Sequence, residues 1–306
     1  VFNCARGGII NESALVEALN NGKVAVAGLD VYEQEPLSED HIFRSTPNLN
    51  LTPHLGASTA EAQESVGVEI AEAIAEVLQG GRIRNAINMP SIDPKDLVTL
   101  HPYLDLCHRL GSFARQSAKE NVSSIHISYW GGIVDFDAVP LTRAVLKGWL
   151  AGIAGDEGIN DVNAPHKIKA LGIKVEVTKS SSIVDYNELI EVKVLASDGS
   201  ERSVKGTLLG KANDPRIVEV DGQAIEVRPV DLLLVLKNVD KPGIVGKLGT
   251  ILGDHDVNIA NMSLSRADCG ELALTICELD EEPAKEVLKL LVADLDIREA
   301  RISRQG

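Results

Sequence analysis

Arg6, Glu35 and His54 are the residues whose types could share one piece of chemistry. Arg6 offers a planar guanidinium fork that fits a carboxylate in a bidentate pose. His54 can exchange a proton near neutral pH. Glu35 lies between them in the sequence, in the loop Glu33-Gln34-Glu35-Pro36. A carboxylate bonded to one ring nitrogen fixes a histidine's tautomer and favours its charged form. Together the three could orient a 2-hydroxy acid and take its hydroxyl proton as a hydride leaves. Singly, each has an ordinary reading: a surface cation, a solvated loop charge, a polar loop residue.

Their positions relative to the elements add weight. Val1–Cys4 is a short apolar run followed by the turn Ala5-Arg6-Gly7-Gly8. Asn11–Asn20 reads as a helix capped by Asn11 or Ser13 and stopped by Gly22. Val24–Leu29 lacks strict alternation, as expected of a strand buried on both faces, and ends at Asp30. Leu49–Leu51 is a third strand ending before Pro53-His54, and Ser58 or Thr59 opens a long helix to about Leu78. This order predicts a parallel sheet with crossover connections, in which functional residues collect beyond the strands' C-terminal ends. Arg6, Asp30 and His54 all follow apolar strands, although Asp30 could equally be a turn cap. The long helix could pack against the sheet or against a second copy, and the sequence does not separate the two.

The 306 residues predict two or three domains, and 44% apolar with 25% charged residues fits a globular chain. Aromatics are only 3%, so the cores must be built from Val, Ile, Leu and Ala, a mixture that points to α/β structure. A net charge of −15 disfavours nucleic acid and anionic membrane surfaces as partners. No run of 18 apolar residues suggests a membrane span. Cys4, Cys107, Cys269 and Cys277 form no CxxC pair and no zinc-site spacing, which suggests reduced thiols, a cytoplasmic location and no metal. The chain opens without Met inside an apolar run, so further sequence is expected upstream.

Three units are expected: 1–90, 91–229 and 230–306. Asn88–Asp96, with Pro90 and Pro94, reads as a linker. The middle unit reads as helices and then strands, with hairpin turns at Asp198-Gly199 and Asp221-Gly222. Its cations Arg109, His108, Arg115, Lys119, His166 and Lys167 are candidates for an anion, or simply solvated helix charges. The last unit reads βαββαβ, a two-layer pattern with an open sheet face.

Several segments carry a resemblance. Asn3-Cys4-Ala5-Arg6-Gly7-Gly8, Gly28-Leu29-Asp30-Val31, Glu33-Gln34-Glu35-Pro36 and Thr52-Pro53-His54-Leu55-Gly56-Ala57-Ser58-Thr59 closely resemble the D-isomer-specific 2-hydroxy acid dehydrogenases. The last segment looks most like the phosphoglycerate dehydrogenases among them. The resemblance implies a partial Rossmann-like domain in which Arg6 binds the substrate carboxylate and His54 is the acid/base paired with Glu35. Asp30 would contact the nicotinamide end of NAD, with Cys4, Ala5 and Gly56 lining the same region. The middle unit resembles the family's α+β intervening domain. The segment Asn238-Val239-Asp240-Lys241-Pro242-Gly243-Ile244-Val245 with Asp256-Val257-Asn258-Ile259-Ala260 looks like an ACT domain. In this family such domains bind L-serine between paired copies, which implies Asp240 for the ammonium, Asn258 for amide hydrogen bonds, and a homo-oligomer. The implied reaction is oxidation of 3-phosphoglycerate to 3-phosphooxypyruvate with NAD.

One departure is large: the chain contains no GxGxxG. A chain without that motif is expected to be inactive alone. Another D-2-hydroxy acid dehydrogenase, or a noncatalytic serine-binding oligomerisation module, are the alternative readings.

Overall fold

A computed structural model describes residues 1–79, 87, 94–119, 121–151, 158–182, 184–266 and 272–304. The chain folds as two compact units, Val1–Asn85 and Ala86–Gly306. The turn expected at Gly80-Gly81, linker residues 88–93, most of the loop Gly152–Gly158, and Asp268–Gly270 with Cys269 lie outside the described residues.

The first unit is a parallel three-stranded sheet in the order β1 (Phe2–Asn3), β2 (Ala27–Leu29), β3 (Leu49–Leu51). The strand expected from Val24 is shorter than its apolar run, because only Ala27–Leu29 finds ladder partners on both sides. Helix α1 (Glu12–Asn20) begins at Asn11, whose Oδ1 accepts from the Ala14 N–H at 2.9 Å. Leu15, Val16 and Leu19 form its buried stripe and pack with Ala27, Leu29, Tyr32 and Phe43. Helix α2 (Ala60–Leu78) is capped by Thr59, whose Oγ1 accepts from the Ala62 N–H at 3.2 Å. Packing of α2 on the sheet, one of its two expected roles, is not seen: no residue of α2 is buried, and Val66, Ile70 and Ile74 are exposed. Its sequence is amphipathic, but among the described residues no element of its own unit covers the apolar stripe.

In the second unit, helix α3 (Pro94–Ser117) starts inside the expected linker, with proline at its first position, where no N–H partner is lost. It continues through Pro102. Strands β4 (Val122–Gly131), β5 (Lys174–Ser180), β6 (Glu188–Ala196), β7 (Glu201–Leu209), β8 (Asp214–Val220) and β9 (Gln223–Val227) form one sheet, ordered β5-β4-β6-β7-β8-β9. Only β4 and β5 are parallel; the connection between them carries α4 (Ala138–Leu150) and α5 (Ala164–Ala170). Helices α3 and α4 touch backbone to backbone: a Cβ on Gly148 would lie 1.9 Å from the His108 carbonyl oxygen, and one on Gly111 2.1 Å from that of Val145.

The remainder is β10 (Leu232–Val239), α6 (Ile244–Gly253), β11 (Ile259–Arg266), β12 (Leu272–Leu279), α7 (Lys285–Ala293) and β13 (Ile297–Arg304), a βαββαβ unit with sheet order β11-β12-β10-β13. Leu234, Leu236, Cys277 and Leu279 pack beneath α6 and α7 with Leu248, Leu252, Val287 and Leu291. The expected open face is not open. Leu233, Val235, Leu274 and Ile276 join the core built on Leu106, Leu110, Phe113 and Ile217. Burial on both faces explains why β10 and β12 read as nearly unbroken apolar runs.

Candidate active site

The site is assembled at the C-terminal ends of three parallel strands. At the end of β1, buried Asn3 shapes the turn: its Oδ1 accepts from the Ala5 N–H at 3.1 Å and its Nδ2 donates to the Arg6 carbonyl at 2.9 Å. Gly7 presses on the next loop, since a Cβ there would lie 1.8 Å from the Tyr32 carbonyl oxygen. The Arg6 side chain is exposed, and its Nη1 donates to the Ala5 carbonyl at 2.7 Å. Among the described residues it has no ion pair.

At the end of β2, Asp30 is 4% exposed. Its Oδ1 accepts from the Thr52 hydroxyl at 2.5 Å and the Leu55 N–H at 2.8 Å; its Oδ2 accepts from the Gly56 N–H at 2.9 Å. The Thr52 hydroxyl and then the Leu55 N–H hold its carboxyl below the ordinary carboxylate range, against burial. Asp30 thus clamps the loop that follows β3. That loop presents His54, whose φ of +55° is an uncommon backbone for a non-glycine residue.

His54 Nδ1 lies 2.6 Å from Glu35 Oε2, and Glu35 Oε1 accepts from the Tyr32 N–H at 3.0 Å. The imidazole and then the Tyr32 N–H lower the Glu35 pKa. With Nδ1 bonded to a carboxylate, Nε2 is the ring atom left to exchange a proton. The pair lines a cavity of about 590 Å³ with Tyr32, Arg44, Thr52 and Pro53. Arg6, Cys4 and Ala5 do not line it. The structure therefore unites Glu35 with His54 and Asp30 with Gly56, and leaves the Arg6 turn outside that cavity.

Sequence reasoning passed over Tyr32 and Thr52. The Tyr32 hydroxyl donates to the Thr52 carbonyl at 2.7 Å, joining the loops after β2 and β3. The available signal was their place within two residues of Asp30 and His54, beyond the ends of β2 and β3.

In the βαββαβ unit, Asp240 and Asn258 are far apart. Asp240 follows β10 and pairs with Arg266, the last residue of β11, at 3.3 Å. Asn258 precedes β11 and donates to Asp280 at 2.5 Å, beyond the far end of β12. An eight-residue strand separates them, on the order of 25 Å. Three of the six candidate middle-unit cations are engaged: Arg109 binds Asp105 at 2.9 Å and the Pro229 carbonyl at 2.7 Å, and Lys119 binds Asp198 at 3.0 Å. Arg115 sits 5.6 Å from the centre of the Trp149 ring. Among the described residues no cluster of His, Cys, Asp or Glu could hold a metal, and no helix is long and apolar enough to cross a membrane.

Family models match three segments. Residues 1–56 match the D-isomer specific 2-hydroxyacid dehydrogenase NAD binding domain, 99–221 the D-3-phosphoglycerate dehydrogenase intervening domain, and 232–296 the ACT domain. A D-3-phosphoglycerate dehydrogenase of Archaeoglobus fulgidus is 38% identical over 94% of this chain and 54% of its own length. That of Bacillus subtilis is 37% identical over 97% of this chain and 56% of its own. The chain thus spans about half the length of the curated relatives it matches. The solved D-isomer specific 2-hydroxyacid dehydrogenase family protein from Aeromonas salmonicida is 37% identical over 28% of this chain and 27% of that one, with a TM-score of 0.25. Three domain matches in order, with similarity running nearly end to end, place the chain in the D-3-phosphoglycerate dehydrogenase family of 2-hydroxyacid dehydrogenases.

Proposed function

We propose that a polypeptide containing this chain oxidises 3-phospho-D-glycerate to 3-phosphooxypyruvate with NAD, the entry to serine synthesis. The 2.6 Å contact between His54 Nδ1 and Glu35 Oε2 carries this reading. Glu35 holds the imidazole, His54 takes the hydroxyl proton at Nε2, and Arg6 grips the substrate carboxylate when its turn swings towards the cavity. NAD would accept the hydride. Asp30 fits the carboxamide of such a group. Oδ1 already takes two donors and Oδ2 one, which leaves acceptor capacity on Oδ2 for one more N–H. Cys4, Ala5 and Gly56 would border it.

The 306-residue chain holds the acid/base half of this chemistry and no GxGxxG, so alone it is inactive. The test adds the N-terminal segment of the Archaeoglobus fulgidus relative in front of Val1 and follows NADH formation from 3-phosphoglycerate. The joined protein should turn over, His54→Gln should lower kcat about 10²–10⁴-fold, and the chain alone should show nothing. Equal activity with and without the imidazole would remove His54 from the mechanism.

The geometry of β11 favours a second role, L-serine sensing by paired copies. This strand is a sheet edge. Antiparallel pairing of two such edges about a twofold axis brings Asn258 of one copy beside Asp240 of the other, which one copy cannot do. Serine titration by calorimetry should show binding that Asp240→Ala and Asn258→Ala each weaken.

A further inference from the structure

We infer that the cleft between α4, α5 and edge strand β5 binds a medium-chain aliphatic carboxylate. The cleft has a volume of about 510 Å³, within the range of small-molecule sites. Three stripes build its walls. Ala138, Val139, Thr142, Arg143 and Leu146 recur along one face of α4. Pro165, Ile168 and Lys169 lie on one face of α5. Ile173, Val175 and Val177 alternate along β5 and its approach, so all three point to one side of the sheet. Leu146 and Ile168 form a buried floor, whereas Val139 and Val177 are 45% and 46% exposed at the mouth. Among the described residues no aromatic ring lines the cleft, so an unbranched or branched alkyl chain suits it better than a planar ring.

Charge identifies the head group. The chain carries a net −15, yet α4, α5 and β5 contribute Arg143, Lys147, Lys167, Lys169, Lys174 and Lys179; Asp161 beside them pairs with Lys147 at 3.9 Å, and the single carboxylate within the three elements is Glu176. That carboxylate is already bonded to Lys174. Arg143 is fixed at the cleft by donating to the Asp161 carbonyl at 3.0 Å. Lys169 is exposed and, among the described residues, has no carboxylate partner. A greasy wall with a cation at its rim takes an anion with an apolar tail. A second copy presenting the same basic face would be repelled, which argues against this cleft as a twofold contact.

The probe is decanoate, titrated by calorimetry into the 306-residue chain. Saturable one-site binding is expected, about fourfold weaker for each methylene removed, so octanoate should bind roughly 15-fold more weakly. Decanol, without the charge, should also bind more weakly. Lys169→Glu should weaken decanoate at least tenfold, and Val177→Trp, which fills the mouth, should abolish binding. Unchanged thermal midpoints check that both variants fold; if the tryptophan variant fails, Lys169→Glu at its exposed site still decides. The inference is overturned by absence of saturable binding, by equal affinity in Lys169→Glu, or by self-association of the chain that Val177→Trp abolishes.

Discussion

Asp30 illustrates how much a single carboxylate organises. It sits outside the proton relay, yet three of its bonds fix the loop that carries His54 and Gly56. Because its folded pKa is depressed, its stabilising contribution is complete above the ordinary carboxylate value near 3.8 and is lost as pH falls through the lower, folded value. Thermal midpoints followed from about pH 5 to about pH 2 should therefore fall less steeply in Asp30→Asn than in the native chain. Identical slopes would show that Asp30 contributes nothing to acid sensitivity. Gly7 acts by lacking a side chain. Gly7→Ala forces a methyl into the Tyr32 carbonyl and should cost roughly 1–3 kcal/mol in a denaturant melt. A neutral result would mean that the Arg6 turn moves freely away from the Glu35 loop.

Between elements, ionic contacts matter according to their burial. Asp221, in the β8–β9 turn, accepts from Arg202 of β7 at 2.6 Å, from Lys237 of β10 at 2.8 Å and from the Ser203 N–H at 3.0 Å. Arg202 also reaches Glu299 of β13 at 3.4 Å, and Glu299 binds Arg301. The Arg301 guanidinium lies 5.9 Å from the centre of the Phe113 ring and donates to the Ser117 hydroxyl at 2.9 Å. Burial pushes the Asp221 carboxyl up, but Lys237 and the other donors outweigh it and the net shift is downward. Removing Asp221 leaves the half-buried Arg202 and Lys237 each short of a charged partner, so Asp221→Ala should destabilise the chain by roughly 1–3 kcal/mol. Lys119→Ala, which breaks the exposed pair with Asp198, should leave the denaturation midpoint unchanged within error. Comparable losses in the two variants would refute the distinction.

For the second unit as a whole, the four-stranded and six-stranded sheets share one core and this charged network. The βαββαβ segment is therefore not an independent bead. Cut free, it would expose Leu233, Val235, Leu274 and Ile276, all nearly fully buried here. Limited proteolysis should yield a resistant fragment corresponding to the second unit, Ala86–Gly306, and none beginning near 230. A stable fragment starting there would show that the shared core contributes little. An effector bound at the βαββαβ edge would then act on the combined body rather than on a hinge between the two sheets.

The sequence alone determined the elements and their order, because capping residues, apolar periodicity and Asp-Gly turns are local signals. Asn11, Thr59 and Asp221-Gly222 act where their chemistry predicts. The motifs also named Glu35 and His54, whose pairing needs only two loops at neighbouring strand ends. Partners distant in the chain were not legible. That β10 and β12 are covered on both sides follows from residues more than 100 positions away, such as Leu106 and Phe113. The wide separation of Asp240 from Asn258 is set by strand register, and the exposed stripe of α2 depends on what packs beside it. Local backbone preferences act over a few residues and are written in the order of side chains; burial and register arise only when remote surfaces compete for the same core.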